Sequence, residues 1–291
     1  MELWHILLFS HIALLVTAEG ISKYFIDKIR SDQVLFFQYL TSVIVIPSLY
    51  VISVQAKIDW AHIPWWFILF GSVFSLGVYA LYNAKRESLS KSIIMEKAAT
   101  GLSVLLLVLF VGEFYIIDPR STQGLQNFIG LVLVGIAAYL LYHKHTHLGS
   151  ESTFRHHVWI RWISIFVIIM GVAHPIAKYM LNTYDPLLLL SLQYIGSFLT
   201  IAILPFRMGS PTKIPGRSIA GTLLLGFFTS IAVASLYGAL ALTSGTQVLA
   251  IRSIAVPFLT VLIGVSKFNE RFTNRMYLPF ILAIIAVYLL H

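Results

Sequence analysis

The sequence repeats itself at a spacing of 155 residues. Glu19-Gly20-Ile21-Ser22-Lys23-Tyr24 stands against His174-Pro175-Ile176-Ala177-Lys178-Tyr179, Gln38-Tyr39 against Gln193-Tyr194, and Ser42 against Ser197. Beyond the next loop, Leu81-Tyr82-Asn83-Ala84 meets Leu236-Tyr237-Gly238-Ala239, and Lys97 meets Arg252. Single apolar residues coincide by chance in any hydrophobic chain. Lys-Tyr and Gln-Tyr recurring at one shift mark two related halves, expected at 1–145 and 157–291 with a linker over 146–156.

What each half contains follows from its apolar runs. About 20 apolar residues at about 1.5 Å each span a bilayer core. Ten stretches qualify, roughly 3–25, 33–54, 62–84, 92–112, 125–143, 157–181, 186–206, 218–242, 246–266 and 276–290. Only 11% of the residues are charged and 58% are hydrophobic, too few charges to cover a water-soluble surface. The first stretch does not read as a cleavable signal, because it lacks a basic start and carries Glu19 and Lys23. The absence of cysteine excludes thiol chemistry. The net charge of +8 lies mainly in short loops, where it reports membrane orientation rather than nucleic-acid binding.

Five spans per half is an odd number, so the second half must enter the membrane from the opposite side. The expected fold is therefore an all-α integral membrane protein of ten transmembrane helices in two inverted five-helix repeats. Such pairs enclose a solute site near the midplane and alternate its access, which points to a secondary transporter.

Charges inside apolar spans cost about 2.5–3.5 kcal/mol each on insertion scales and are functional candidates by default. They are Glu19, Lys23, Glu96, Lys97, His174, Lys178 and Arg252. Glu19 and Lys23 lie four apart on one helical face, and His174 and Lys178 repeat that spacing. Lys97 and Arg252 fall at matched positions of the fourth helix in each half, at mirrored depths on facing helices if the halves are inverted. Four bases, Lys23, Lys97, Lys178 and Arg252, exceed the two acids, so a cavity they line favours an anionic group. Arg252 suits bidentate binding and Lys97 a point charge. Tyr82 and Tyr237 are further candidates for lining the cavity.

Phe110-Val111-Gly112-Glu113, followed by Gly124 and Gly130-Leu131-Val132-Leu133-Val134-Gly135, resembles the end of a repeat in the EamA type of the drug/metabolite transporter superfamily. Ala255-Val256-Pro257-Phe258-Leu259, followed by Phe268-Asn269-Glu270-Arg271-Phe272, resembles it again. The resemblance covers nearly the whole chain. It departs from the pattern at Leu102, which stands opposite Pro257, and at Asn269, where Gly is usual. It implies transport by alternating access, and central Lys and Arg resemble the phosphate-translocator branch more than the aromatic amino acid exporters.

Each candidate also has a structural reading. Glu19–Lys23 can be an ion pair near a membrane end, Lys23 and Lys178 can snorkel to headgroups, and Glu96 can neutralise a neighbouring base. Ordinary packing accounts equally for Tyr82 and Tyr237, and interhelical hydrogen bonding for Gln38 and Gln193. His174 before Pro175 marks a kinked, gating segment, and either His174 or Glu19 is a candidate carrier of a coupling proton. The histidines at 143, 145, 147, 156 and 157 read as a solvated linker, with no metal site expected. No cofactor is called for, and no phosphate loop or zinc-protease motif is present.

The expected partners are a small anionic, phosphorylated or zwitterionic metabolite, membrane lipids, and a coupling proton or counter-substrate. No nucleic acid is expected, and a homodimer stays open. The alternatives are an exporter of amino acids or amphipathic drugs and, from another class, an intramembrane lipid-headgroup enzyme using His174 and Glu19. The expected location is a bacterial inner (cell) membrane. For its orientation, the resemblance implies cytoplasmic termini. The basic loops, including Lys85, Arg86, Lys91, Lys144, Arg155 and Arg161, favour termini outside.

Overall fold

The computed structural model describes residues 2–25, 29–54, 62–87, 89–113, 118, 120–145, 156–207 and 216–268, together with 278, 281, 282, 285, 288 and 289. The described residues form nine α-helices and no strand. These are α1 (Leu3–Phe25), α2 (Ser31–Val54), α3 (Phe67–Glu87), α4 (Leu89–Leu106), α5 (Thr122–His145), α6 (His156–Leu181), α7 (Pro186–Arg207), α8 (Gly216–Leu242) and α9 (Gly245–Phe268). A π-helical turn, Leu107–Val111, continues α4. Nine of the ten expected spans coincide with these helices to within a few residues. Of the tenth, 278, 281, 282, 285, 288 and 289 are helical and the other residues lie outside the described ones.

Among the described residues, six helices, α1, α2, α3, α6, α7 and α8, are long and apolar enough to cross a membrane. α4 is not among them because Lys91, Glu96 and Lys97 fall within its 18 residues. Large apolar side chains such as Phe9, Leu69, Phe110 and Ile168 are exposed, as lipid contact requires. The chain is an integral, multi-pass membrane protein.

Helix starts follow local chemistry. Asp185 Oδ1 accepts the backbone N–H groups of Leu187 and Leu188, at 2.8 and 3.1 Å, with Pro186 in the first helical position of α7. Ser121 Oγ accepts the N–H of Gly124 at 2.9 Å and caps α5. Ser244 Oγ accepts the N–H of Gln247 at 3.1 Å and caps α9.

The helices gather into two compact units, each drawing on both halves of the sequence. The first comprises Met1–Tyr82 and Ala177–Leu242. Within it α1 runs against α8, and α2 packs on both α7 and α8. Two glycines spaced by the repeat permit close approaches. A Cβ on Gly71 would collide with the Gln193 backbone, and one on Gly226 with the Gln38 backbone. Lipid tails are as apolar as side chains, so association here relies on such close packing and on polar links. Ser197 Oγ donates to the Gly71 carbonyl at 2.8 Å, and Ser230 Oγ lies 2.7 Å from Ser42 Oγ. Tyr39 and Tyr194, also spaced by the repeat, bring their ring centroids to 6.0 Å.

The second unit comprises Asn83–Ile176 and Thr243–His291. Here α4 packs on α5 and α9, and its π-helical turn also touches α9. Gly171 of α6 lies so near Leu102 of α4 that a Cβ would clash with its side chain. Trp159 Nε1 donates to Ser92 Oγ at 2.9 Å.

Candidate functional site

Lys97 and Arg252 belong to the same unit, on α4 and α9, two helices in direct contact. Arg252 is half-buried. The side chains of Lys23, Glu96 and Lys97 lie outside the described residues, although all three backbone positions are helical.

His174 is in the same unit and is buried. Its Nδ1 lies 2.9 Å from the Met170 carbonyl and 3.2 Å from Ser103 Oγ of α4. A carbonyl only accepts, so that contact places the proton on Nδ1 in the neutral ring. Pro175 adds a missing N–H in the same turn. Polar side chains therefore hold α6 against α4 at the point where its own ladder is interrupted.

The other candidates sit in the first unit. Lys178 is buried, and its Nζ donates to the Leu240 carbonyl at 2.8 Å. Leu240 lies in the last turn of α8, whose carbonyls lack helical partners. Lys178 thus satisfies a helix C-terminus with a positive charge, the sign that the dipole favours there. Tyr82 and Tyr237 are buried, and each donates its hydroxyl to a glutamine, Tyr82 to Gln38 Oε1 at 3.2 Å and Tyr237 to Gln193 Oε1. Both pairs are 44 residues apart in sequence, the repeat expressed as hydrogen bonds. Glu19, on α1, is half-buried.

Three buried groups escape a reading of the sequence. His11 Nδ1 lies 2.7 Å from the Ala232 carbonyl and links α1 to α8, yet the repeat puts Phe166 opposite it. Lys85 is buried on α3, although its sequence position reads as a loop base. Glu113 is buried, and its two carboxylate oxygens accept the backbone N–H groups of Gly245 and Thr246, each at 2.8 Å. The signal for Glu113 is Gly112 before it. Gly112 adopts φ 81°, a left-handed conformation that ends the π-helical turn.

This helical fold has known counterparts. Residues 157–291 match the EamA-like transporter family. That stretch is the second of the two expected halves. A protein of known crystal structure shares the fold with a TM-score of 0.75 at 12% identity, over 98% of this chain and 96% of that one. No curated protein sequence matches the chain. EamA-like proteins are transporters and not enzymes, so the match supports transport over the intramembrane-enzyme alternative. The resemblance read from Asn269-Glu270 falls within the EamA-like match, which implies a small-molecule substrate and a membrane setting, whereas Gly112-Glu113 lies outside the matched residues.

Proposed function

We propose that this EamA-like protein is a secondary transporter, an exchanger or facilitator, for a small anionic metabolite, phosphorylated or zwitterionic. Its two halves, 1–145 and 157–291 around a linker at 146–156, act as inverted five-helix repeats, ten transmembrane helices in all. The observation that carries the reading is the spacing of Lys97 and Arg252. They recur at the repeat distance on α4 and α9, and those helices pack together in one unit. Two bases so placed attract an anion, Arg252 through its bidentate fork and Lys97 as a point charge. Glu96 tunes their charge, and His174 or Glu19 carries a coupling proton.

Lys23, Lys178, Tyr82 and Tyr237 complete the proposed set of contacts. Lys178 and the two tyrosines carry less of the reading, since Leu240, Gln38 and Gln193 already engage them. The proposed setting is a bacterial inner membrane with both termini outside, and a homodimer is compatible with it.

Uptake into proteoliposomes tests the reading, with inorganic phosphate, a sugar phosphate and a neutral amino acid as cargo. Phosphate or sugar-phosphate flux lost in Lys97→Ala and Arg252→Ala supports it. Neutral amino acid flux indifferent to both substitutions would select the exporter alternative.

A further inference from the structure

We infer that Glu113 is the positioning residue for Arg252: by gripping the first turn of α9 from the end of α4, it sets where Arg252 sits. This rests on the proposed role of Arg252.

The first turn of α9 has an unusual allocation of its backbone donors. A helix leaves its first N–H groups without partners, and a local cap normally supplies one or two acceptors. Here Ser244 does that work, with its Oγ accepting Gln247 N–H at 3.1 Å and its carbonyl accepting Val248 N–H at 3.3 Å. The two remaining donors, Gly245 and Thr246 N–H, go to Glu113, a residue 132 and 133 positions away in sequence. A local cap would follow the helix wherever it moved. Glu113 cannot, because it is fixed to α4 through the π-helical turn and left-handed Gly112. The carboxylate is buried, where its charge is matched by two N–H groups and the positive end of the helix dipole.

The register of α9 carries this grip to the charge. Arg252 follows Gly245 by seven residues, which returns it to nearly the same helical face about 10 Å along the axis. A shift of the first turn relative to α4 therefore moves Arg252 relative to Lys97. The carboxylate holds the two proposed anion ligands in register from two turns away.

The chain's lack of cysteine makes a direct test clean, since Arg252→Cys is then its only thiol. The readout is the rate at which a water-soluble methanethiosulfonate modifies that thiol in reconstituted protein. Adding Glu113→Gln, which keeps the shape and one acceptor but removes the charge, should change the rate about 2- to 30-fold, the factor that loss of a cap corresponds to in an equilibrium. Adding Ser244→Ala, which strips the local cap of the same terminus, should lower thermal stability and leave the rate unchanged. Equal effects of the two substitutions, or no effect of either, would overturn the proposal. Should Glu113→Gln fail to fold, Glu113→Asp, which withdraws the carboxylate by one methylene, gives the same comparison. Phosphate flux through Lys97→Ala and Arg252→Ala is read separately. Unchanged flux there removes the anion reading while the labelling result still decides whether Glu113 places position 252.

Discussion

Lys178 reaches from α6 to the Leu240 carbonyl at the C-terminus of α8, 2.8 Å away and buried. The bond converts a charge that the sequence presents as an anion ligand into a clamp between two helices. Truncating it leaves a buried carbonyl without its donor. Lys178→Met should therefore cost about 1–3 kcal/mol of stability, read as thermal unfolding in detergent. Lys178→Arg, which keeps a cationic donor, should recover part of the loss. A Lys178→Met protein as stable as the parent would leave substrate binding as the reason for the residue.

The paired glycines make a sharper packing prediction. Gly71 faces the Gln193 backbone and Gly226 the Gln38 backbone, and neither neighbour can swing away as a side chain would. Gly71→Ala and Gly226→Ala should each cost about 1–3 kcal/mol through overpacking. Gly20→Ala, where nothing lies within 4 Å of the added carbon, should be close to neutral or mildly stabilising. Equilibrium unfolding of the three variants in detergent separates close crossings from ordinary helical glycines.

The tyrosine–glutamine pairs predict non-additive losses. Gln193 is fully buried, and its Nε2 has no hydrogen-bond partner among the described residues, so the Tyr237 hydroxyl on Oε1 is its compensation. Tyr237→Phe and Gln193→Met should each destabilise by about 1 kcal/mol, since each strands the other's polar group. The double variant should cost less than the sum, because both polar groups are then gone. Additive losses would mean that the hydroxyl and the amide act independently.

Much of this architecture was legible because it is written in long apolar runs. The helix bounds of α1, α2, α6, α7 and α8 lie within a few residues of the runs that specify them. The repeat singled out Tyr82, Tyr237, Gln38 and Gln193 separately, but that each tyrosine donates to the glutamine 44 residues before it emerges only in the structure. Other contacts were not legible. Gly112-Glu113 stands out as a motif, but nothing in the sequence marks Gly245 and Thr246 as the partners of Glu113, and the 155-residue shift puts Phe268 opposite it. His11 has the same handicap opposite Phe166. The compact units cut across the sequence halves, because α1 pairs with α8 and α4 with α9. Spatial grouping of that kind depends on which faces approach closely, a matter of Gly71, Gly171 and Gly226 rather than of hydropathy.

Orientation is where physics and resemblance part, and one thiol decides between them. Basic residues are retained on the cytoplasmic side because translocating them against the potential is unfavourable. Lys144 and Arg155 flank the segment between the halves, and Lys85, Arg86 and Lys91 fall in the α3–α4 region, on the same side when five spans separate the N-terminus from the linker. That side should be cytoplasmic, which puts both termini outside. Family resemblance places the linker outside instead. A membrane-impermeant maleimide applied to intact cells should fail to label Ser150→Cys and should label it after permeabilisation. Labelling in intact cells would reverse the assignment. It would mean that helix packing, through contacts such as Glu113 on the first turn of α9, outweighs loop charge in setting the topology of this chain.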